Sequence, residues 1–134
     1  MATFNKFNSF VEAVAEKKHN LGSDQLVVAL TNSAPSATNS TLADITEISY
    51  TNCSSRNLTT TSSSQTSGTY SLVLEDLTLT ASGGDVGPFR YVVTYNDDAM
   101  NDELICWHDY GESITVHEGE TFKIDLGANI LTLQ

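Results

Sequence analysis

The sequence predicts an all-β fold, an antiparallel jelly roll or β-sandwich of about eight strands with one N-terminal α-helix. From Gln25 onward, short runs of Val, Ile, Thr, Tyr and Leu alternate with Gly, Asn, Asp, Pro and Ser, the vocabulary of strands and turns. Before that point Phe7, Phe10, Val14 and Leu21 recur near one helical stripe. With 134 residues, 40% of them hydrophobic, the chain can bury roughly two-thirds of its unfolded surface, enough for one self-supporting core. The expected division is a single domain, with residues 1–22 as the helical segment and 23–134 as the sandwich.

The helix is expected from about Phe4 to Asn20. Ser9 with Glu12 offers a capping box, and Thr3 offers a start one turn earlier. Lys17, Lys18 and His19 would fall in the last turn, against the negative helix end, with Gly22 as the stop. Gln25–Thr31 is nearly continuously apolar, as in a strand covered on both faces, one of them by the helix. A Ser/Thr/Asn loop around Pro35 follows. Ile45–Thr51 alternates apolar and polar residues, and Asn57–Gln65 reads as a hydroxyl-rich strand. The low-complexity stretch Thr59–Thr69 is an edge strand or mobile arm on one reading and a recognition surface on the other.

Tyr70–Thr80 changes phase at Glu75 and Asp76, the mark of a bulge or bend. After the break Ser82-Gly83-Gly84-Asp85, Phe89–Tyr95 and Leu104–Tyr110 are strong strands joined by the acidic connection Asn96–Glu103. Ser113–His117, a Glu118-Gly119 turn, Thr121–Leu126 and Ile130–Leu133 complete the pattern of a sandwich or barrel.

The net charge of −11 is unevenly placed: residues 1–74 carry four basic and five acidic side chains (net −1), residues 75–134 two and twelve (net −10). Nucleic acids and anionic membranes reward clustered Lys and Arg, so neither is an expected partner. No apolar run approaches the ~20 residues of a membrane span, and no signal core precedes a cleavage site, so synthesis in a cytoplasm is expected. Cys53 and Cys106 form no CxxC motif and read as reduced thiols.

A catalytic reading finds little to build on. No serine lies in GxSxG or SxxK, and His108 and Asp109, adjacent on a strand, point to opposite faces. No cofactor is expected. The carboxylates of Asn96–Glu103 are the right ligand type for Ca²⁺ but lack the EF-hand spacing and its glycine, so no metal site is assigned. Arg90, the lone cation between residue 75 and Gly119, is expected to pair with Asp85, Asp97 or Asp109, ordering the fold or an interface. Phe4, Phe7 and Phe10 are either core or an anchor on a partner, and Lys17 and Lys18 form the densest cationic spot. Trp107 and Tyr110 offer a sugar platform, although a strand-borne Trp also suits a core.

Several segments together carry a resemblance. They are Phe4-Asn5-Lys6-Phe7-Asn8-Ser9-Phe10-Val11, the run from Leu26 to Thr31 leading through Asn32 and Pro35 to Leu42-Ala43-Asp44-Ile45-Thr46-Glu47-Ile48, and Thr80-Ala81-Ser82-Gly83-Gly84. With them go Gly87-Pro88-Phe89-Arg90-Tyr91, Tyr95-Asn96-Asp97, Asp109-Tyr110-Gly111 after Trp107, and Gly119-Glu120-Thr121-Phe122. Over nearly its whole length the chain resembles the small jelly-roll cement, or decoration, proteins on the heads of tailed bacteriophages. It departs from them at Asn52–Ser67, which is richer in Ser and Thr and poorer in glycine. The resemblance implies a dimeric, non-enzymatic clamp on the virion exterior that bridges neighbouring major capsid protein subunits of an expanded shell. It carries no residue-level assignment. A tail- or fibre-borne module reading host glycan through Trp107 and Tyr110 is the alternative.

Overall fold

The computed structural model describes residues 2–126 and 130–134. The strands are β1 (Thr3–Lys6), β2 (Leu26–Thr31), β3 (Thr60–Thr66), β4 (Thr69–Leu74), β5 (Leu77–Thr80), β6 (Val86–Asn96), β7 (Leu104–Val116), β8 (Thr121–Ile124) and β9 (Leu131–Leu133). One α-helix, α1 (Ser9–Ala15), and a 3-10 turn at Leu42–Asp44 complete the order. All pairings are antiparallel. One layer runs β1-β7-β6-β2; the other comprises β3-β4-β9 and β5-β8. The main core lies between them, where Leu26, Val28, Leu30, Phe89 and Val92 of the first layer meet Leu72, Leu74, Leu79 and Ile124 of the second. The fold is thus the expected all-β sandwich with one helix.

The N-terminus departs from expectation. Residues Thr3–Lys6 pair with Asp109–Cys106 as a strand, so Phe4 belongs to a sheet edge and the helix is only seven residues long. Ser9 is already helical and makes no capping box; the box is found instead at Thr41 and Asp44, around the 3-10 turn. The helix stops because Lys17 turns left-handed (φ 67°), while the Lys18 N–H reaches the Ala13 carbonyl and the Lys17 N–H that of Val14. This is a Schellman stop with lysine where glycine is usual. Lys17, Lys18 and His19 therefore lie beyond the helix, not in its last turn. Left-handed backbone costs an L-residue roughly 1–2 kcal/mol, partly offset by the extra unfolded-state entropy of glycine. Lys17→Gly is expected to raise stability by about 0.5–1 kcal/mol, read as a higher urea midpoint at unchanged slope.

Strand β2 is buried along its whole length. Its inner side faces the main core. The outer side is covered by Phe7, Tyr91, Val93, Tyr95, Leu104 and Trp107, with Ala37, Leu42 and Ile45 of the long loop packed on them. That loop, rather than the helix, supplies the cover. The expected strand Ile45–Thr51 does not form, because this stretch runs along the free edge of β2 as an irregular seal. The Ile48 N–H donates to the Leu30 carbonyl and the Leu30 N–H to Tyr50 Oη, and farther along the Val28 and Leu58 N–H groups bond to Arg56 and Leu26.

The phase change at Glu75 and Asp76 separates β4 from β5, and the Asp76 carboxylate accepts the Leu126 N–H across the gap. The hydroxyl-rich strand β3 is an edge strand, as one reading had it. The two strands expected at Leu104–Tyr110 and Ser113–His117 are one strand, β7, which stays continuous through a left-handed Gly111 (φ 83°). Cys53 and Cys106 are free thiols, and burial pushes Cys106 up to about 12.

Candidate functional site

The N-terminal aromatics diverge as soon as the backbone is placed. Phe4 is 44% exposed on β1, Phe7 is fully buried with its ring 4.6 Å from that of Trp107, and Phe10 is buried in the main core. Only Phe4 is available to a partner. Lys17 and Lys18 are exposed; Lys18 Nζ stands 4.0 Å from Glu103, and both lysines border a shallow cleft with His19, Asp24, Ser63 and Asp98. Glu103 is buried while Lys18 stays half-exposed at the 4.0 Å limit of an ion pair, so the two are only loosely engaged.

Arg90 takes Asp109 from its three expected partners. The Nε and Nη2 groups donate to the two carboxylate oxygens at 2.8 and 3.2 Å, and the Gly111 N–H donates to the same carboxylate. The Arg90 side chain and then the Gly111 amide hold Asp109 below the usual carboxylate range. Because Asp109 stands opposite Tyr91 in the β6–β7 register, this fork ties the bulged middle of β7 to its neighbour. Trp107 and Tyr110 do not form one platform. Trp107 is 9% exposed on the outer face, whereas Tyr110 packs toward the main core beside Phe122.

Two of the four carboxylates of the acidic connection Asn96–Glu103 are engaged internally. Asp98 accepts the Gln25 N–H and Glu103 the Asn101 N–H. Among the described residues no group of three or more His, Cys, Asp or Glu side chains could hold a metal ion.

Two histidines gained neighbourhoods that their sequence positions did not announce. His19 Nδ1 meets the Asn96 amide at 3.0 Å, and that amide also donates to Asp24. His108 lies edge-on to Phe4 at 5.5 Å, with Nδ1 buried and without a hydrogen-bond partner. Burial lowers both histidines from 6.5. Between the lowered folded-state values and 6.5 the unfolded chain binds more protons, so their contribution to stability falls as pH drops below 6.5. The urea midpoint is expected to be lower at pH 5.5 than at pH 7.5, with a smaller difference in His108→Phe.

His108 lines a cleft of about 790 Å³ between β1 and β7 on one side and β8 and β9 on the other. Phe4, Lys6, Phe122, Lys123 and Leu133 share it. The alternation of Phe4 and Lys6 on one face of a strand was a local signal for this site, hidden because the same residues also suited a helix.

The fold and these surfaces define an antiparallel β-sandwich with one short helix, in which no helix among the described residues is long and apolar enough to cross a membrane. Compared with protein-family models, curated proteins and solved structures, the chain has no match.

Proposed function

We propose that this protein is a non-enzymatic cement protein. It binds the outside of an expanded tailed-phage capsid, bridging neighbouring major capsid subunits as a homodimer on the virion after synthesis in the host cytoplasm. One observation supports this reading: two of the specific segments of the resemblance, Gly87–Tyr91 and Asp109–Gly111, meet in space. Arg90 of the first grips Asp109 of the second, so the shared residues fix one piece of β6 and β7. A likeness that includes coupled positions weighs more than one confined to independent ones.

The physics suits modest contacts. Once one subunit is held, binding a neighbour is effectively intramolecular, and avidity rises ~10²- to 10⁴-fold. A clamp that recognises only the expanded shell stabilises it by about 2.7 kcal/mol per site at a hundredfold excess over Kd. Of the N-terminal contact candidates Phe4, Lys17 and Lys18 are exposed, and the uneven charge leaves the acidic second half for the virion exterior. The test is heat-induced genome release from particles with and without the protein. Depleted particles are expected to release DNA at lower temperature, and superimposable curves would overturn the proposal.

A further inference from the structure

The two edges of the four-stranded sheet are finished differently. The β2 edge is closed by backbone and side-chain hydrogen bonds from Ile48, Tyr50, Arg56 and Leu58. At the other edge, among the described residues, no backbone hydrogen bond beyond the pairing with β7 reaches Thr3–Lys6. Among the described residues strands β8 and β9 of the second layer also end their sheets, and the 790 Å³ cleft runs between them and β1.

The lining of this cleft is mainly apolar, and its charged side chains are Lys6, Lys123 and Asp125. Phe4 is one of three large hydrophobic side chains exposed among the described residues. Phe122 and Leu133 face it from the second layer. In a chain of net charge −11 with six basic residues, two of them, Lys6 and Lys123, stand here with Asp125. Lys123 is held 3.3 Å from Asp76, and no ion pair engages Lys6 among the described residues. His108, only 7% exposed, brings an unpartnered Nδ1 to the same wall.

We infer that this cleft receives an extended peptide segment of a partner protein, with apolar and acidic side chains two positions apart on one face, which adds to β1 as a fifth strand. Strand addition gives such a segment main-chain hydrogen bonds from an unpaired edge, and its alternate side chains then fall into the cleft. The apolar ones meet Phe4, Phe122 and Leu133, and the acidic ones meet Lys6 and Lys123. A second copy of this chain fits less well, since a short edge carrying a lysine discourages pairing with itself. The inference stands on the edge and the cleft and does not require the partner to be a capsid subunit.

The test is selection of a displayed library of random dodecapeptides on the full chain, with counter-selection on the Lys6→Glu/Lys123→Glu variant. Equal urea midpoints for the two proteins establish that the variant is folded. Enriched peptides are expected to carry apolar residues and Asp or Glu two positions apart, so that both fall on one face of the added strand. The strongest of them, made synthetically, should bind the double variant at least tenfold more weakly and lose as much when a central residue is replaced by proline. It should also slow hydrogen exchange at Thr3–Lys6. No enrichment on the wild type over the variant, enrichment of basic peptides, or binding that leaves those amides unchanged would each overturn the inference. So would a dimer in sedimentation whose Thr3–Lys6 amides are already slow without peptide, because a second copy would then fill the edge. No shell enters these measurements, so their failure is separate from failure of the particle-release test.

Discussion

Phe7→Ala is expected to lower the unfolding free energy by about 3–5 kcal/mol, the usual cost of emptying a fully buried aromatic site. Phe7 is 0% exposed, and its ring lies tilted against Trp107 at 4.6 Å on the outer face of the four-stranded sheet. That face has a small core of its own, with Val27, Ala29, Val93 and Leu104 beside the two aromatics. It is roofed by a loop rather than by a second sheet, so little around Phe7 is positioned to collapse into the space. For a domain whose total stability is of order 5–15 kcal/mol, the loss is a large fraction of the whole. Phe4→Ala, at a half-open edge position, should cost less than about 1 kcal/mol. Urea midpoints at constant slope separate the two. The contrast also decides what the N-terminal aromatics do: if Phe7→Ala left the midpoint within about 1 kcal/mol of wild type while weakening binding to capsids, Phe7 would be an anchor and not core.

How far the sequence could be read follows the range of the interactions that decide each element. The strands β2, β6 and β7 were legible because their apolar runs are long and their partners adjoin in the sheet. The break at Glu75 and Asp76 was legible because a phase shift in a period-2 pattern is itself local. Thr3–Lys6 was not. Phe4, Phe7 and Phe10 lie three apart, which suits a helix, and what makes the first of them a strand is Trp107 and His108, about a hundred positions away. Ile45–Thr51 misled for a related reason. Its alternation is real, with Ile45 packed on the outer core and Ile48 and Tyr50 on the inner one, but it records a chain crossing the edge of a sheet. The candidate site divides in the same way. The pairing of Arg90 with a carboxylate followed from charge scarcity, whereas the cleft around His108 needs two layers to exist before it has walls.

Gly87→Ala is expected to cost about 2–5 kcal/mol, the sum of left-handed backbone strain and overpacking. Val86 and Phe89 are both buried in the main core, yet they stand three residues apart on one strand, a spacing that a regular pleat would send to opposite faces. The register shows how both point inward: Val86 pairs with Val116 and Phe89 with Ile114, so β6 spends one residue more than β7 and bulges at Gly87 and Pro88. Pro88 suits the place because a bulge does not need its missing N–H. Gly87 suits it because φ is +120° and because a Cβ there would stand 2.7 Å from the Ile114 carbonyl oxygen and 3.2 Å from Thr115 Cα. Both obstacles are backbone of β7 and cannot swing aside as a side chain would. Relief must come from shifting the bulge, which re-aims Phe89 away from Phe122 and moves Arg90 relative to Asp109. Gly119→Ala provides the comparison, since Gly119 is also left-handed (φ 85°) but a Cβ there meets nothing within 4 Å. It should show backbone strain alone, about 1–2 kcal/mol. Thermal melts of the two variants should therefore separate clearly, with Gly87→Ala lower by several degrees. Equal melting temperatures would mean that the close approach of β7 contributes nothing, and that the glycine is there only for its φ.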